Sequence, residues 1–377
     1  DQARNLRGLR HFYLKYEFIR VITEYKEGIK LIVIDFFCGC GGASEGLRQA
    51  GFDIVLGIDN DSQASETFKA NFPDAKFIQE DIRKIEPQDI SEIIDIQAKR
   101  PLLLSACAPC QPFSQQNKNK TSDDSRRNLL DETHRFIREL LPEYIMLENV
   151  PGMQKIDEKK EGPFQEFIKL IKELQYSYIS FIANAENYGI PQRRKRLVLL
   201  ASRVGKVTPP DITHGKNKIP YKTVRDYIYN FTKLSSGEID PQDSLHRAGT
   251  LTSLNLKRIM HTPEGGDRRN WPEELVNKCH KNYDGHTDTY GRMSWDKPAP
   301  TLTTKCNSYS NGRFGHPDPT QHRAISIREA SRLQTFPLSY VFKGSLNSMA
   351  KQIGNAVPCE LARIFGQHLI ENCTNKD

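Results

Sequence analysis

Apolar and polar positions divide this chain into a regular first half and an irregular second half. Lys30–Phe37 (KLIVIDFF) is rich in β-branched and aromatic residues and reads as a strand. Ala43–Ala50 has helical spacing, and Asp53–Asp59 is a second strand. Ser62–Asn71 reads as a helix and Lys76–Ile78 as a short strand. The apolar run Leu102–Leu104 suits a parallel strand buried on both faces. Two prolines, Pro109 and Pro112, then force a rigid loop, because neither can continue a sheet ladder. Asn128–Leu141 is a helix stopped by Pro142, and Tyr144–Leu147 is a further buried strand. Phe164–Leu174 is helical, and Tyr178–Ala183 and Arg196–Ala201 are strands. From about Val204 the periodicity fades while Pro, Gly, Thr and His rise. It returns at Ile327–Gln334 and in a final amphipathic helix to about Ile370.

The pattern predicts four parts: an N-terminal extension (1–29), an α/β domain (30–203), a loop-rich domain (204–325), and a C-terminal segment (326–377) packing back on the α/β domain. In the extension, Leu9, Phe12, Tyr16, Ile19 and Ile22 fall near helical spacing, which favours an outer packing helix over a nucleic-acid contact.

Charge sharpens the division. The net charge is +7, and Arg203–Arg323 holds 19 Lys/Arg against 13 Asp/Glu, so nearly all of the excess lies there, with seven of the ten histidines. That segment reads as a recognition domain with a basic face. Its Tyr221, Tyr227, Tyr290, Trp271 and Trp295 are read as core rather than as stacking platforms. Eight cysteines in 377 residues are too dilute for a disulfide scaffold and read as reduced thiols. No apolar run approaches the ~20 residues of a membrane span. The first residues have no apolar stretch of a secretory signal. Both point to a soluble, cytoplasmic protein without a membrane partner.

The chemistry collects at strand ends. Asp59 follows Gly39 by 20 residues, the spacing that places a carboxylate on ribose hydroxyls in nucleotide-binding units, although the glycines run G-x-G-G. Asp81 either accepts from an adenine amino group or caps the next turn. Cys110 stands where an apolar strand ends, the edge at which open α/β sheets hold ligands, and is the candidate nucleophile. Polar residues 115–127 read as a flap. Glu148-Asn149 ends another strand at the same edge, and Gln192–Arg196 (QRRKR) follows a Gly/Pro turn, where cations can face an anion.

These blocks, in order, resemble the cytosine-5 DNA methyltransferases: DFFCGCGG (Asp35–Gly42), Asp59, Asp81, APCQPFS (Ala108–Ser114), ENVPG (Glu148–Gly152), QRRKR, REASRLQTFP (Arg328–Pro337) and GNAVP (Gly354–Pro358). The resemblance covers roughly residues 31–370. It implies a Rossmann-like, S-adenosylmethionine-dependent α/β fold, with a mixed sheet carrying helices on both faces and a smaller target-recognition domain. It implies methyl transfer to carbon 5 of a cytosine flipped from a specific double-stranded DNA sequence, through a covalent adduct with Cys110. A soft thiolate suits reversible addition, and neighbouring positive charge would activate it.

By the same resemblance Glu148 holds or protonates ring nitrogen 3, and Asn149 orients Glu148 and the loop. Arg196 contacts the base carbonyl, with Arg194 beside it. The cofactor site takes Phe37, Gly39, Gly41, Asp59, Asp81, Ile82, Pro109 and Asn355, without metal. Gln111 and Ser114 face DNA, as do Thr301 and Thr303 of a threonine–leucine element. The implied setting is bacterial restriction–modification, with a monomer and a separately acting endonuclease.

Rival readings are a redox Cys107-x-x-Cys110 pair, zinc held by Cys38, Cys40, Cys107 and Cys110, an RNA-methylating relative, and a DNA-binding module without catalysis. No helix opens after the C-x-x-C, since Pro112 follows. The C-x-C with C-x-x-C pairing is unusual for zinc. The Cys-Phe-Thr tripeptide of the RNA branch is absent.

Overall fold

The structure is a computed structural model. It describes residues 30–95, 100–108, 129–154, 162–281, 285 and 288–374. Pro109, Cys110, Gln111, Ser114, the 115–127 flap and the 1–29 extension lie outside these residues.

The chain divides into two compact units. The first takes the described residues of Asp1–Ala183, with Lys195–Asp211 and Leu361–Asp377; the second takes Asn184–Arg194 and Ile212–Glu360. Of the expected C-terminal segment, Leu361 onward clusters with the first unit and the part up to Glu360 with the second.

The first unit is built on a seven-stranded sheet of order β3-β2-β1-β4-β5-β7-β6. The strands are β1 (Ile32–Phe36), β2 (Asp53–Ile58), β3 (Lys76–Ile78), β4 (Leu102–Ala106), β5 (Tyr144–Asn149), β6 (Ser177–Asn184) and β7 (Lys195–Ser202). The first five strands run parallel, and β7 runs antiparallel to β5. The interleaved helices are α1 (Gly42–Gln49), α2 (Ser62–Asn71), α3 (Pro87–Asp95), α4 (Leu129–Leu140) and α5 (Pro163–Glu173). Alternation decides the faces. Ile32, Ile34, Phe36, Leu104, Leu147 and Leu199 pack with Phe136 and Ile137 of α4 and Phe167 and Ile171 of α5 in one buried cluster. The intervening Val33, Leu103 and Leu200 are also buried, which is why these strands carry apolar residues on both faces. The last helix, α10 (Cys359–Thr374), brings Gly366 against Leu47 of α1 and Phe52.

Strand order reverses between β1 and β4, and a crevice opens at such a switch point beyond the carboxyl ends of the strands. The register levels those ends, pairing Phe36 with Ala106 and Ala106 with Leu147.

The second unit holds short helices α6 (Val224–Ile228), α7 (Ser253–Met260), α8 (Ile327–Leu333) and α9 (Leu346–Asn355). Its other pairings are isolated bridges such as Arg292 with Gly315. Buried arginines replace regular structure there. Arg292, fully buried, donates to the carbonyls of Thr262 (2.6 Å), His316 (2.7 Å) and Ile259 (3.0 Å). Arg323 grips Glu329 through two bonds of 2.7 Å. Trp271 and Tyr290 pack edge-on at 5.2 Å under Arg258, as the core reading expects, whereas Tyr221 is 41% exposed and lies outside the core, its hydroxyl donating to Asn187.

Candidate active site

The turn after β1 is shaped by backbone that few side chains adopt. Phe37, Gly39 and Gly41 have φ of 56°, 52° and 87°. Gly41 caps α1 in the left-handed conformation. Asp59, at the end of β2, fastens this turn: its Oδ2 accepts the Gly39 N–H at 2.8 Å and its Oδ1 accepts the Asp61 N–H at 2.9 Å. Burial pushes the Asp59 carboxyl above its ordinary range, with these two bonds opposing. A Cβ on Gly39 would meet nothing within 4 Å, so the turn's backbone faces open space. Beneath it, Asp35 of β1 accepts from the Ser44 hydroxyl of α1 at 2.6 Å.

Asp81 shows the capping arrangement. Its Oδ1 accepts the Arg83 N–H at 3.1 Å, and the Arg83 guanidinium binds the same carboxylate, holding its pKa down to about 2. Ile82 is buried, and its carbonyl accepts from Arg135 at 2.6 Å.

The reversed strand builds the other half. Because β7 is antiparallel to β5, its first residues emerge where β5 ends. Asn149 pairs with Leu197, which leaves Arg196 just beyond the last pair. There the Arg196 Nε stands 2.7 Å from Oε1 of Glu148, with side-chain exposures of 14% and 12%. Asn149 turns the other way: its Nδ2 donates to the Ala108 carbonyl at 3.0 Å, and its Oδ1 accepts the Val150 N–H at 2.8 Å. Asn149 thereby anchors the residue two positions before Cys110. The neighbouring thiols are held protonated. Burial, with Glu148 and Asp35 adding, raises Cys107 well above the usual range, and burial pushes Cys40 up to about 12.

In the second unit Arg194 is almost wholly buried, and its guanidinium donates to the carbonyls of Ala356 (3.1 Å), Leu302 (3.3 Å) and Gly354 (3.4 Å). Thr301 and Thr303 are partly exposed on either side of buried Leu302, and the Thr301 hydroxyl donates to the Arg193 carbonyl at 2.6 Å. Asn355 is exposed at the end of α9.

Residues 31–371 match the family described as C-5 cytosine-specific DNA methylase. The chain belongs to that family. The Type II methylase M.HgiDII of Herpetosiphon aurantiacus is 42% identical over 345 residues, covering 89% of this chain and 94% of its own. The Type II methyltransferase M.PspPI of Psychrobacter sp. (strain TA137) is 32% identical over 356 residues, covering 92% and 80%. A prophage-encoded E. coli protein described as a DNA modification methyltransferase superposes with a TM-score of 0.71 at 23% identity, covering 91% of this chain and 99% of its own, a likeness of fold.

The chain is therefore a DNA cytosine-5 methyltransferase on a Rossmann-like α/β fold, and methyltransferases of this family use S-adenosylmethionine. The structure gathers Phe37, Gly39, Gly41 and Asp59 at one turn, and Glu148, Asn149 and Arg196 at one strand edge. It brings out residues of this methyltransferase that sequence reasoning left without a role. Gln192 and Gln334 are fully buried, and Gly354 presses on the backbone of Thr303. Both glutamines sit inside motifs already recognised, QRRKR and REASRLQTFP, yet a polar residue in a motif gives no sign that it is buried.

Proposed function

We propose that this methyltransferase moves a methyl group from S-adenosylmethionine to carbon 5 of a cytosine flipped out of a specific double-stranded DNA sequence, with Cys110 as the covalent nucleophile. The observation that carries this reading is the Glu148–Arg196 pair at 2.7 Å. A carboxyl and a guanidinium side by side match the ring nitrogen and carbonyl oxygen on one edge of a cytosine.

The bound cofactor supplies an electrophilic methyl group on a sulfonium. The residues fit it: the open backbone at Gly39 admits a close ligand. Each Asp59 oxygen accepts one backbone N–H and keeps a lone pair for a ribose hydroxyl. The Asp81 carboxylate is already engaged by Arg83, so Asp81 and Ile82 serve the adenine chiefly by their place in the chain. Phe37 and Gly41 shape the turn. Pro109 and Asn355 join the cofactor set by resemblance.

On the base, the Cys110 thiolate adds to carbon 6, and the displaced ring electrons are drawn toward nitrogen 3, where Glu148 holds the proton. Arg196 donates to the ring carbonyl. Carbon 5 would take the methyl group, leaving S-adenosylhomocysteine, and its proton would then pass to water as the bond from carbon 6 to Cys110 breaks and the thiolate leaves. Asn149 orients the strand end from which the Cys110 loop departs. Gln111, Ser114, Thr301 and Thr303 face the duplex, which opens at a cost of a few kcal/mol for the flipped base. In this reading the protein acts as a monomer in restriction–modification, beside a separate endonuclease.

Bisulfite sequencing of DNA from expressing cells identifies the target. A target duplex carrying 5-fluorocytosine then traps the adduct, because the fluorine blocks the final loss of the carbon 5 proton. Wild-type protein should give a band that survives denaturation. Cys110→Ser should give none while still binding S-adenosylhomocysteine. Absence of the wild-type band, or its survival in Cys110→Ser, would exclude this mechanism.

A further inference from the structure

Three polar side chains buried in the second unit clamp two stretches of backbone that have no sequence relation. Gln192 and Gln334 are fully buried and Arg194 is 2% exposed. Gln192 Oε1 accepts the Leu302 N–H at 3.0 Å, and Gln192 Nε2 donates to Gln334 Oε1 at 2.9 Å. Gln334 Nε2 in turn donates to the carbonyls of Ile353 (2.6 Å) and Ala356 (3.1 Å). Arg194 closes the loop by donating to the carbonyls of Leu302, Gly354 and Ala356. Both backbone groups of Leu302 are thus held, its N–H by Gln192 and its C=O by Arg194.

The two clamped stretches also touch directly. A Cβ on Gly354 would overlap the Thr303 carbonyl, so only glycine lets α9 close on this element. The arginine suits the place for a further reason. The last carbonyls of a helix lack partners within it and carry partial negative charge. Gly354 is among the last residues of α9, and Ala356 is its cap. A guanidinium offers five donors in a planar fork, so one side chain can serve several carbonyls, which a lysine ammonium on a flexible stem cannot match.

What the clamp holds in place is informative. Asn355 is exposed between two residues whose carbonyls are fixed, and Thr301 and Thr303 flank a residue fixed on both sides. We propose that Arg194 is a positioning residue rather than a contact to the base. By this inference it makes Asn355 and the Thr301–Thr303 element one rigid piece, so that cofactor binding and duplex binding strengthen each other through it. The inference rests on the reading above, which gives Asn355 to the cofactor and the threonines to DNA. It adds that the two are mechanically joined, and linkage then requires the effect to be reciprocal.

The test measures duplex affinity with and without S-adenosylhomocysteine, and S-adenosylhomocysteine affinity with and without duplex, by titration calorimetry on the full chain. In wild type each ligand should tighten the other by about tenfold, within the usual span of coupling energies. In Arg194→Lys that factor should fall toward one, with KM for both substrates rising more than kcat falls. Arg196→Lys, which touches the base in this reading, should lower kcat and leave the coupling intact. Should Arg194→Lys melt early, Gln192→Met tests the same clamp from the other side and should also lose coupling. No coupling in wild type, or full coupling in a folded Arg194→Lys or Gln192→Met, overturns the inference. Failure of the fluorocytosine adduct would instead overturn the underlying reading, whatever the coupling.

Discussion

Asp35 shows how a single residue trades stability for position. It sits fully buried in β1, with Oδ2 bonded to Ser44 and no hydrogen bond to Oδ1 among the described residues. Burial raises its carboxyl to about 6, against the lowering effect of the Ser44 bond. The folded state therefore holds this proton more tightly than the unfolded chain, whose aspartate releases it near the usual ~3.9. The stabilisation is fully present below about pH 4 and is lost as pH rises through about 6. The loss is on the order of 3 kcal/mol. Asp35→Asn keeps an acceptor for Ser44 and cannot ionise. Its melting temperature relative to wild type should climb between pH 4 and pH 6 and then level off. A difference that stays flat across that interval would show that Asp35 does not carry the burden of an ionised buried carboxylate. Sequence spacing made Asp59 legible as a strand-end carboxylate. It could not show that both its oxygens already hold backbone N–H groups of the turn. Its place after a short strand left Asp81 open between a cap and a ligand contact, and the capping bond is present.

At the scale of elements, the central strands β1, β4, β5 and β7 were legible because burial on both faces makes them predominantly apolar, and their ends fall within a residue or two of the apolar runs. Strand order was not legible. The insertion of antiparallel β7 between β5 and β6 creates the Glu148–Arg196 edge, and nothing local in the sequence of β7 announces its direction. Of the short helices of the second unit, α8 was legible in the periodicity at Ile327–Gln334, but α6, α7 and α9 were missed for a different reason. In α7 the apolar Leu254, Leu256 and Met260 are 46%, 37% and 58% exposed, while Arg258 and Ile259 are buried, so hydrophobicity does not mark its inner face. Where packing is tight, it can be tested. Gly57 of β2 lies under Phe68 of α2, and an added Cβ would stand 2.6 Å from the ring. That ring is itself flanked by Phe72 and Phe77 at centroid distances of 4.6 Å and 5.2 Å, so it cannot swing aside. Gly57→Ala should therefore destabilise the protein by about 1–3 kcal/mol, the usual cost of overpacking. Urea unfolding reads this directly, and an unchanged midpoint would mean that α2 shifts freely over the sheet.

At the scale of the whole molecule, the basic excess of residues 203–323 does not translate simply into a basic face. Many of its arginines are spent internally: Arg292 on carbonyls, Arg323 on Glu329, Arg225 on Asp296, and Arg313 on Asp267 and Asp288. The lysines differ. Lys216, Lys222, Lys257 and Lys297 are all exposed. A count of charges along the sequence cannot separate these two populations, because arginine and lysine weigh the same until packing sorts them. If DNA is held electrostatically by this segment, the lysines must supply most of the long-range attraction. Each phosphate neutralised releases condensed counterions and adds ~0.9 to the slope of log affinity against log salt. Replacing Lys222 and Lys257 together by alanine should lower that slope by about one to two and weaken cognate and non-cognate duplexes alike. Filter binding between 50 and 200 mM salt gives the slope, a range over which such contacts lose affinity steeply. A double variant with the parental slope would move the DNA-facing charge to other surfaces of the molecule.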